Sequence, residues 1–110
     1  MKENKSHLTA IKRKTLSRPM KYLMDNGLIK GPTLDYGCGR GDDADNIGAA
    51  KYDPHYFPDK PKGVFSTITC IYVLNTIEDE AIRYGVIGKV YDLLAPGGTA
   101  YFAVRRDKFF

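Results

Sequence analysis

The chain has no tryptophan, two cysteines and two histidines, and each shortage narrows what it can be. Cys38 and Cys70 lie far apart, without the paired spacing of a zinc site, so they read as reduced thiols and no metal site is expected. No apolar run approaches the length needed to cross a bilayer. The polar opening Met1-Lys2-Glu3-Asn4-Lys5 is followed by no apolar stretch of the signal-peptide kind, which points to a soluble, cytoplasmic protein with no membrane partner. The bias that marks disorder, collagen or a coiled coil is also missing: 43% apolar and 27% charged residues over 110 positions describe one globular domain.

What charge there is lies unevenly. The net value is +4, and Lys2, Lys5, Lys12, Arg13, Lys14, Arg18 and Lys21 crowd the first stretch. Residues 1–14 show no clear period and read as a basic N-terminal arm ahead of a domain spanning 15–110. Such an arm suits an anionic partner such as nucleic acid, while the plainer reading, a solvated and partly frayed segment, is the one the composition favours.

From there the chain alternates. Ser17 and Pro19 open an amphipathic helix with Met20, Leu23, Met24 and Leu28 at helical spacing, and Asn26-Gly27 supplies an end signal. Thr33–Tyr36 is a short strand after Gly31-Pro32. Asp42–Ile47 allows a turn or two of helix, and Ala49–Tyr52 a second strand. Pro54, Pro58 and Pro61 make the next dozen residues a loop. Thr67–Val73 is rich in β-branched residues and predicts a strand buried on both faces. Ile82, Val86, Val90, Leu93 and Leu94 recur at helical spacing until Pro96-Gly97-Gly98, and Thr99–Val104 is a last strand. Strands alternating with helices imply βαβ crossovers and a parallel sheet.

The chemistry is carried by the first strand and the run Gly37-x-Gly39-x-Gly41 that follows it. Glycines there let the backbone turn sharply and approach a ligand at the strand's C-terminal edge. A dinucleotide fingerprint would require a third glycine at position 42, but Asp42 and Asp43 stand there. Two carboxylates at a helix N-terminus repel a pyrophosphate and suit a cation-bearing ligand, so a sulfonium cofactor with an ammonium group answers better than NAD. Asp53, ending the second strand, is a carboxylate placed to accept hydrogen bonds from ribose hydroxyls.

These residues carry a resemblance. Leu34-Asp35-Tyr36-Gly37-Cys38-Gly39-Arg40-Gly41 resembles motif I of the class I S-adenosylmethionine-dependent methyltransferases. Tyr52-Asp53-Pro54-His55-Tyr56 is similar to their acidic second motif, Ile71–Ile77 to the strand-end motif, and Leu94-Ala95-Pro96-Gly97-Gly98-Thr99 to the turn into strand five. The likeness is greatest to small bacterial and phage members. It implies a Rossmann-like three-layer αβα sandwich with a mostly parallel sheet, reduced to about four strands in the order 2-1-4-5, and S-adenosylmethionine as cofactor. The backbone from Gly37 through Cys38 and Gly39 to Gly41 would hold the methionine part, with Asp35 facing its ammonium group. Asp53 would take the ribose hydroxyls, Pro54 and His55 would flank adenine, and Tyr72, Val73 and Asn75 would line the pocket beside the reactive methyl. Arg18 is a weaker candidate for the cofactor carboxylate.

The pattern also departs from the family. The interval from Gly41 to Asp53 is short, strand three has no counterpart, and Ser66 replaces a frequent aspartate. The chain stops at Phe110, before the last two strands of the usual sheet, which leads to the expectation of an open strand-five edge that pairs with a second copy or partner chain, or of a shortened version of a longer protein. Neither the Asn-Pro-Pro-aromatic motif of amino-group DNA methylation nor a Pro-Cys nucleophile is present, so the catalytic residues and the methyl acceptor, small molecule or nucleic acid, stay unassigned. His55 is the one side chain weighed as a base, against a plain loop histidine. The function expected is a methyltransferase; the alternatives are a non-catalytic cofactor-binding module or accessory subunit and, further off, a nucleotide-binding oxidoreductase fragment.

Overall fold

Pro19 occupies the first turn of the first helix, where its missing N–H costs nothing. In the computed structural model, which describes residues 15–105, this helix, α1, covers Arg18–Asp25. It stops earlier than the spacing of Leu28 suggests. Gly27 adopts φ +65°, Leu28 N–H donates to the Leu23 carbonyl at 2.9 Å, and Gly27 N–H donates to that of Met24 at 3.1 Å. That is the double bond of a Schellman ending, so Leu28 closes the helix rather than extending it. The expected N-terminal arm, residues 1–14, lies outside the described residues.

After α1 come β1 (Thr33–Tyr36), α2 (Asp42–Ile47), β2 (Ala50–Tyr52), β3 (Phe65–Ile71), a 3-10 turn (Leu74–Thr76), α3 (Glu80–Asp92) and β4 (Leu94–Ala103). The four strands form one sheet in the order β2-β1-β3-β4, every pairing parallel. This is the reduced Rossmann-like α/β architecture that the motifs imply. Right-handed crossovers put α2 on one face of the sheet and, on the other, α3 together with the connection from β2 to β3. Asp79 caps α3, its carboxylate accepting from the N–H groups of Ala81 at 2.8 Å and Ile82 at 3.2 Å.

Three strand boundaries lie two residues or more from the sequence reading, one of them the start of β3, at Phe65 instead of Thr67. β3 ends at Ile71 because Tyr72 adopts φ +61°, which breaks the strand. β4 begins at Leu94, not Thr99: Leu94 pairs with Phe65 and Thr99 with Thr67, so Ala95–Gly98 bulge out opposite Ser66. A Cβ at Gly98 would lie 2.9 Å from the Ser66 carbonyl oxygen, which explains a glycine at that point.

Alternation along the strands sorts the core. Leu34 and Tyr36 of β1 join Ile68 and Cys70 of β3, with Phe65 and Val90, in the buried cluster under α3. Asp35, Thr67 and Thr69 are the intervening residues and are also buried. Within α3, Val86, Val90 and Leu93 pack on this cluster, as their spacing predicts. Ile82 does not: it is 57% exposed, and Tyr84 and Tyr91 are exposed with it. The helix thus carries apolar residues on both its inward and its outward sides.

The two sides of α3 differ in what they contribute. Val90→Ala removes buried methyl groups and is expected to cost about 2 kcal/mol, whereas Ile82→Ala at its exposed position should stay within about 0.5 kcal/mol. Urea unfolding followed by circular dichroism measures both, and equal losses would show that the outward side is covered in solution.

Candidate functional site

Gly37, Gly39 and Gly41 all adopt positive φ, at +82°, +58° and +88°. At two of the three a side chain would also find no room. A Cβ on Gly37 would meet Val73 Cγ2 at 2.4 Å, and one on Gly41 would meet Lys51 Cδ at 2.7 Å, so both positions are filled by packing. A Cβ on Gly39 would meet nothing within 4 Å. The loop is held by β2: the Tyr52 carbonyl accepts from Gly37 N–H at 2.7 Å and Cys38 N–H at 3.0 Å.

In front of this loop, at the C-terminal ends of β1 and β3, lies an open cavity of about 410 Å³. Its walls are the loop itself from Gly37 through Cys38 and Gly39 to Arg40, the carboxylates Asp35, Asp42 and Asp43, and Ser17, Ile71 and Tyr72. Of the residues expected at a cofactor site, Asp35, Gly37, Cys38, Gly39 and Tyr72 therefore line one cavity. Gly41, Asp53, Pro54, His55, Val73 and Asn75 are not among its lining residues. Ser17, Arg40 and Ile71 line it without having been expected as site residues, although Ile71 opens the strand-end motif. Arg40 at least stands inside the glycine run, but Ser17 is 26 positions from its partner and leaves no local signal.

That partner is Asp43. Ser17 precedes α1, yet its hydroxyl makes no cap bond to its own helix. Instead Ser17 N–H donates to Asp43 Oδ1 at 3.0 Å, and the Ser17 hydroxyl donates to Asp43 Oδ2. The carboxylate of α2 thereby fixes the start of α1 at the cavity's edge.

Asp35 is 3% exposed, and Thr69 donates a hydroxyl hydrogen bond to its Oδ1 at 3.0 Å. Burial pushes the carboxyl up to about 7, against the lowering by Thr69; the nearby negative charges of Asp43 and Asp53 add to the rise. Cys38 is pushed up to about 12, first by burial and then by Asp35 and Asp53, and Cys70 to about 12 by burial and Asp35. Both stay thiols at neutral pH, which removes a thiolate nucleophile. The two cysteines are not bonded to each other.

Asp53 serves the loop. Its Oδ1 accepts Gly39 N–H at 2.9 Å, while Oδ2 accepts His55 N–H at 3.0 Å and Tyr56 N–H at 3.1 Å. His55 itself is exposed, with its ring edge-on to Tyr56. Arg18 is exposed on α1 and does not line the cavity. Val73 packs on Gly37, and Asn75 is buried with its Oδ1 lacking a partner among the described residues. Tyr72 combines its positive φ, a conformation that costs on the order of 1–3 kcal/mol in a non-glycine residue, with a place in the cavity wall and an N–H donating to the Ala103 carbonyl at 2.7 Å.

Chemically the cavity is a concave surface that sets the carboxyl groups of Asp35, Asp42 and Asp43 beside a loop in which Gly37 and Gly39 alternate with Cys38 and Arg40, suited to a ligand that presents a cation to the acidic side. Among the described residues no group of three or more His, Cys, Asp or Glu is placed to hold a metal ion, and no helix is long and apolar enough to cross a membrane. The family model described as "Methyltransferase domain" matches residues 8–109. No curated protein and no solved structure matches the chain.

The raised Asp35 carboxyl makes a stability prediction. Between about pH 4 and about pH 7 the folded chain holds a proton that the unfolded chain has released, so stability falls as pH rises through that window. Asp35→Asn keeps an acceptor for Thr69 and removes the ionisation. It should stabilise the ligand-free protein by on the order of 2–4 kcal/mol at about pH 8 and by little at about pH 4. Thermal unfolding of both proteins across that range measures it; a gain that does not change with pH would contradict the assigned burial of the charge.

Proposed function

Because the chain belongs to the methyltransferase domain family, the class I S-adenosylmethionine-dependent methyltransferases, we propose that the cavity before the glycine loop binds S-adenosylmethionine and that the protein transfers its methyl group to a nucleophilic acceptor. The observation that carries this reading is the pairing of the left-handed glycines Gly37 and Gly39 after β1 with Asp35, Asp42 and Asp43 around one cavity. When bound, the cofactor supplies a methyl group on a sulfonium that leaves as a neutral thioether, so the protein's task is alignment more than proton chemistry.

Each residue then has a definite part. Gly39 lets the ligand lie against the loop, and Asp35, in its ionised form, faces the cofactor's ammonium group. Asp53 already accepts three N–H bonds. A carboxylate has about four acceptor positions, which leaves one for a ribose hydroxyl. Pro54 and His55, on the same turn, stand ready for the adenine side, and Tyr72 marks the acceptor side at the end of β3. A second reading, cofactor binding without turnover, is favoured by the exposed position of His55 and the locked Cys38 thiol, which leave the acceptor side without a plain base or nucleophile.

Titration calorimetry with S-adenosylmethionine, S-adenosylhomocysteine and NAD tests the proposal directly. Micromolar binding of the two sulfur compounds and none of NAD is expected. Affinity for S-adenosylmethionine should rise as pH climbs through about 7, because ionised Asp35 meets a cation. Asp35→Asn should abolish that pH dependence and weaken binding by about 1.5–3 kcal/mol at about pH 8. Absence of binding by either sulfur compound would overturn the assignment.

The sheet also ends on β4, which pairs only with β3 among the described strands, with Phe102 and Val104 exposed along it. We infer that this edge takes a second copy of the chain by strand pairing. Light scattering at about micromolar concentration should show a dimer that Phe102→Lys reduces to monomer; a monomeric parent protein would remove the inference.

A further inference from the structure

The geometry points to a second ligand site, for a small planar aromatic acid, on the α3 face of the sheet. Parallel strands are ordinarily joined by a helix that covers the sheet. The connection from β2 to β3 contains none, and Pro58 and Pro61 keep it irregular. What it leaves open is a cavity of about 410 Å³ over β1 and β2, bounded by the proline loop and the last turn of α3. This is a concavity at the surface beside the main core, and its volume falls in the range that takes a small ligand.

Its floor is aromatic. Tyr36 and Tyr52 are register partners on neighbouring strands, and their rings lie 4.7 Å apart with 32° between planes. Lys60 from the loop and Lys89 from α3 stand at the walls with Asp92. None of these three side chains has an ion-pair or hydrogen-bond partner among the described residues. Two ammonium groups against one carboxylate favour an anion, the half-buried ring of Tyr52, backed by the buried Tyr36, favours a flat ring, and the carboxylate suits an N–H donor on that ring. The site shares no lining residue with the cavity before the glycine loop and does not depend on what that cavity binds.

The probe is 4-aminobenzoate, titrated into the full chain labelled with nitrogen-15 and followed by amide shifts. Saturable shifts are expected at Tyr52, Lys60 and Lys89, with Gly39 and Asp43 unmoved. Benzylamine, a ring of similar size with the opposite charge, should produce none. Charge reversal at the two exposed lysines, Lys60→Glu with Lys89→Glu, should weaken binding by about tenfold or more, and the milder Lys60→Gln with Lys89→Gln gives the same test should the reversal disturb folding. The proposal is overturned by shifts centred on residues 37–43, by an equal response to benzylamine, by unchanged affinity in the folded charge variants, or by no saturation below about 10 mM.

Discussion

One carbonyl holds the candidate site in shape. The Tyr52 oxygen, at the end of β2, accepts hydrogen bonds from both Gly37 and Cys38 at the end of β1, so the glycine loop is not a free turn but an extension of the β1–β2 ladder. Asp53, the next residue, takes the N–H of Gly39. Three consecutive amides of the loop are thus fixed by two consecutive residues of another strand. A left-handed glycine backbone has little preference of its own. Without the β2 anchor the loop would have to be ordered by its ligand, at a cost in affinity.

That anchoring changes what Asp53 means. From sequence, a carboxylate ending the second strand of such a fold is placed for ribose hydroxyls. In the structure most of its acceptor capacity goes to the backbone of the loop and of its own turn. The two roles are compatible only through the one position left. Asp43 shows the same economy, binding Ser17 with both oxygens while it lines the cavity. Of the acidic residues around the loop, Asp35 is the one whose single hydrogen bond is a gift from a neutral hydroxyl. Its burial raises the carboxyl to about 7, so that at neutral pH it is divided between its charged and uncharged forms.

The legible parts of the sequence were those whose signal is local. Strand β1, the glycine run and the helical spacing of Val86, Val90 and Leu93 each announce themselves within a few residues, while the strand order came from the resemblance of the motifs to the family. Boundaries set by partners elsewhere were not legible. β4 begins five residues before Thr99 because Leu94 finds Phe65 across the sheet, and nothing near Leu94 says so. Tyr72 ends β3 in a conformation that no propensity assigns to tyrosine. Ser17 reads as an ordinary N-cap, yet its hydroxyl goes to Asp43, 26 positions away in the chain, and nothing near Ser17 announces that partner. The acidic character of the site was readable, since Asp42 and Asp43 occupy the place of a third glycine, but which carboxylates remain available to a ligand was not.

The same strands present two unlike surfaces, and the pleat is the reason. Asp35 and Tyr36 are adjacent, so their side chains leave opposite faces of β1. The first enters the carboxylate cavity and the second floors the cavity with the lysines. On the first face α2 follows the loop at once and the crossover is short, which leaves Gly37 and Gly39 half-buried at the cavity wall. On the other, the crossover from β2 to β3 has length but no helix, because prolines at 54, 58 and 61 interrupt it. Tyr36 is buried in the core all the same, and Tyr52 is the residue that would have been covered further by a helix there. Its absence leaves two tyrosine rings packed on each other, with the anchoring carbonyl of Tyr52 in the same residue as one of them. The reduction of the fold therefore thins the cover of the sheet at the strand ends where the glycine loop is held.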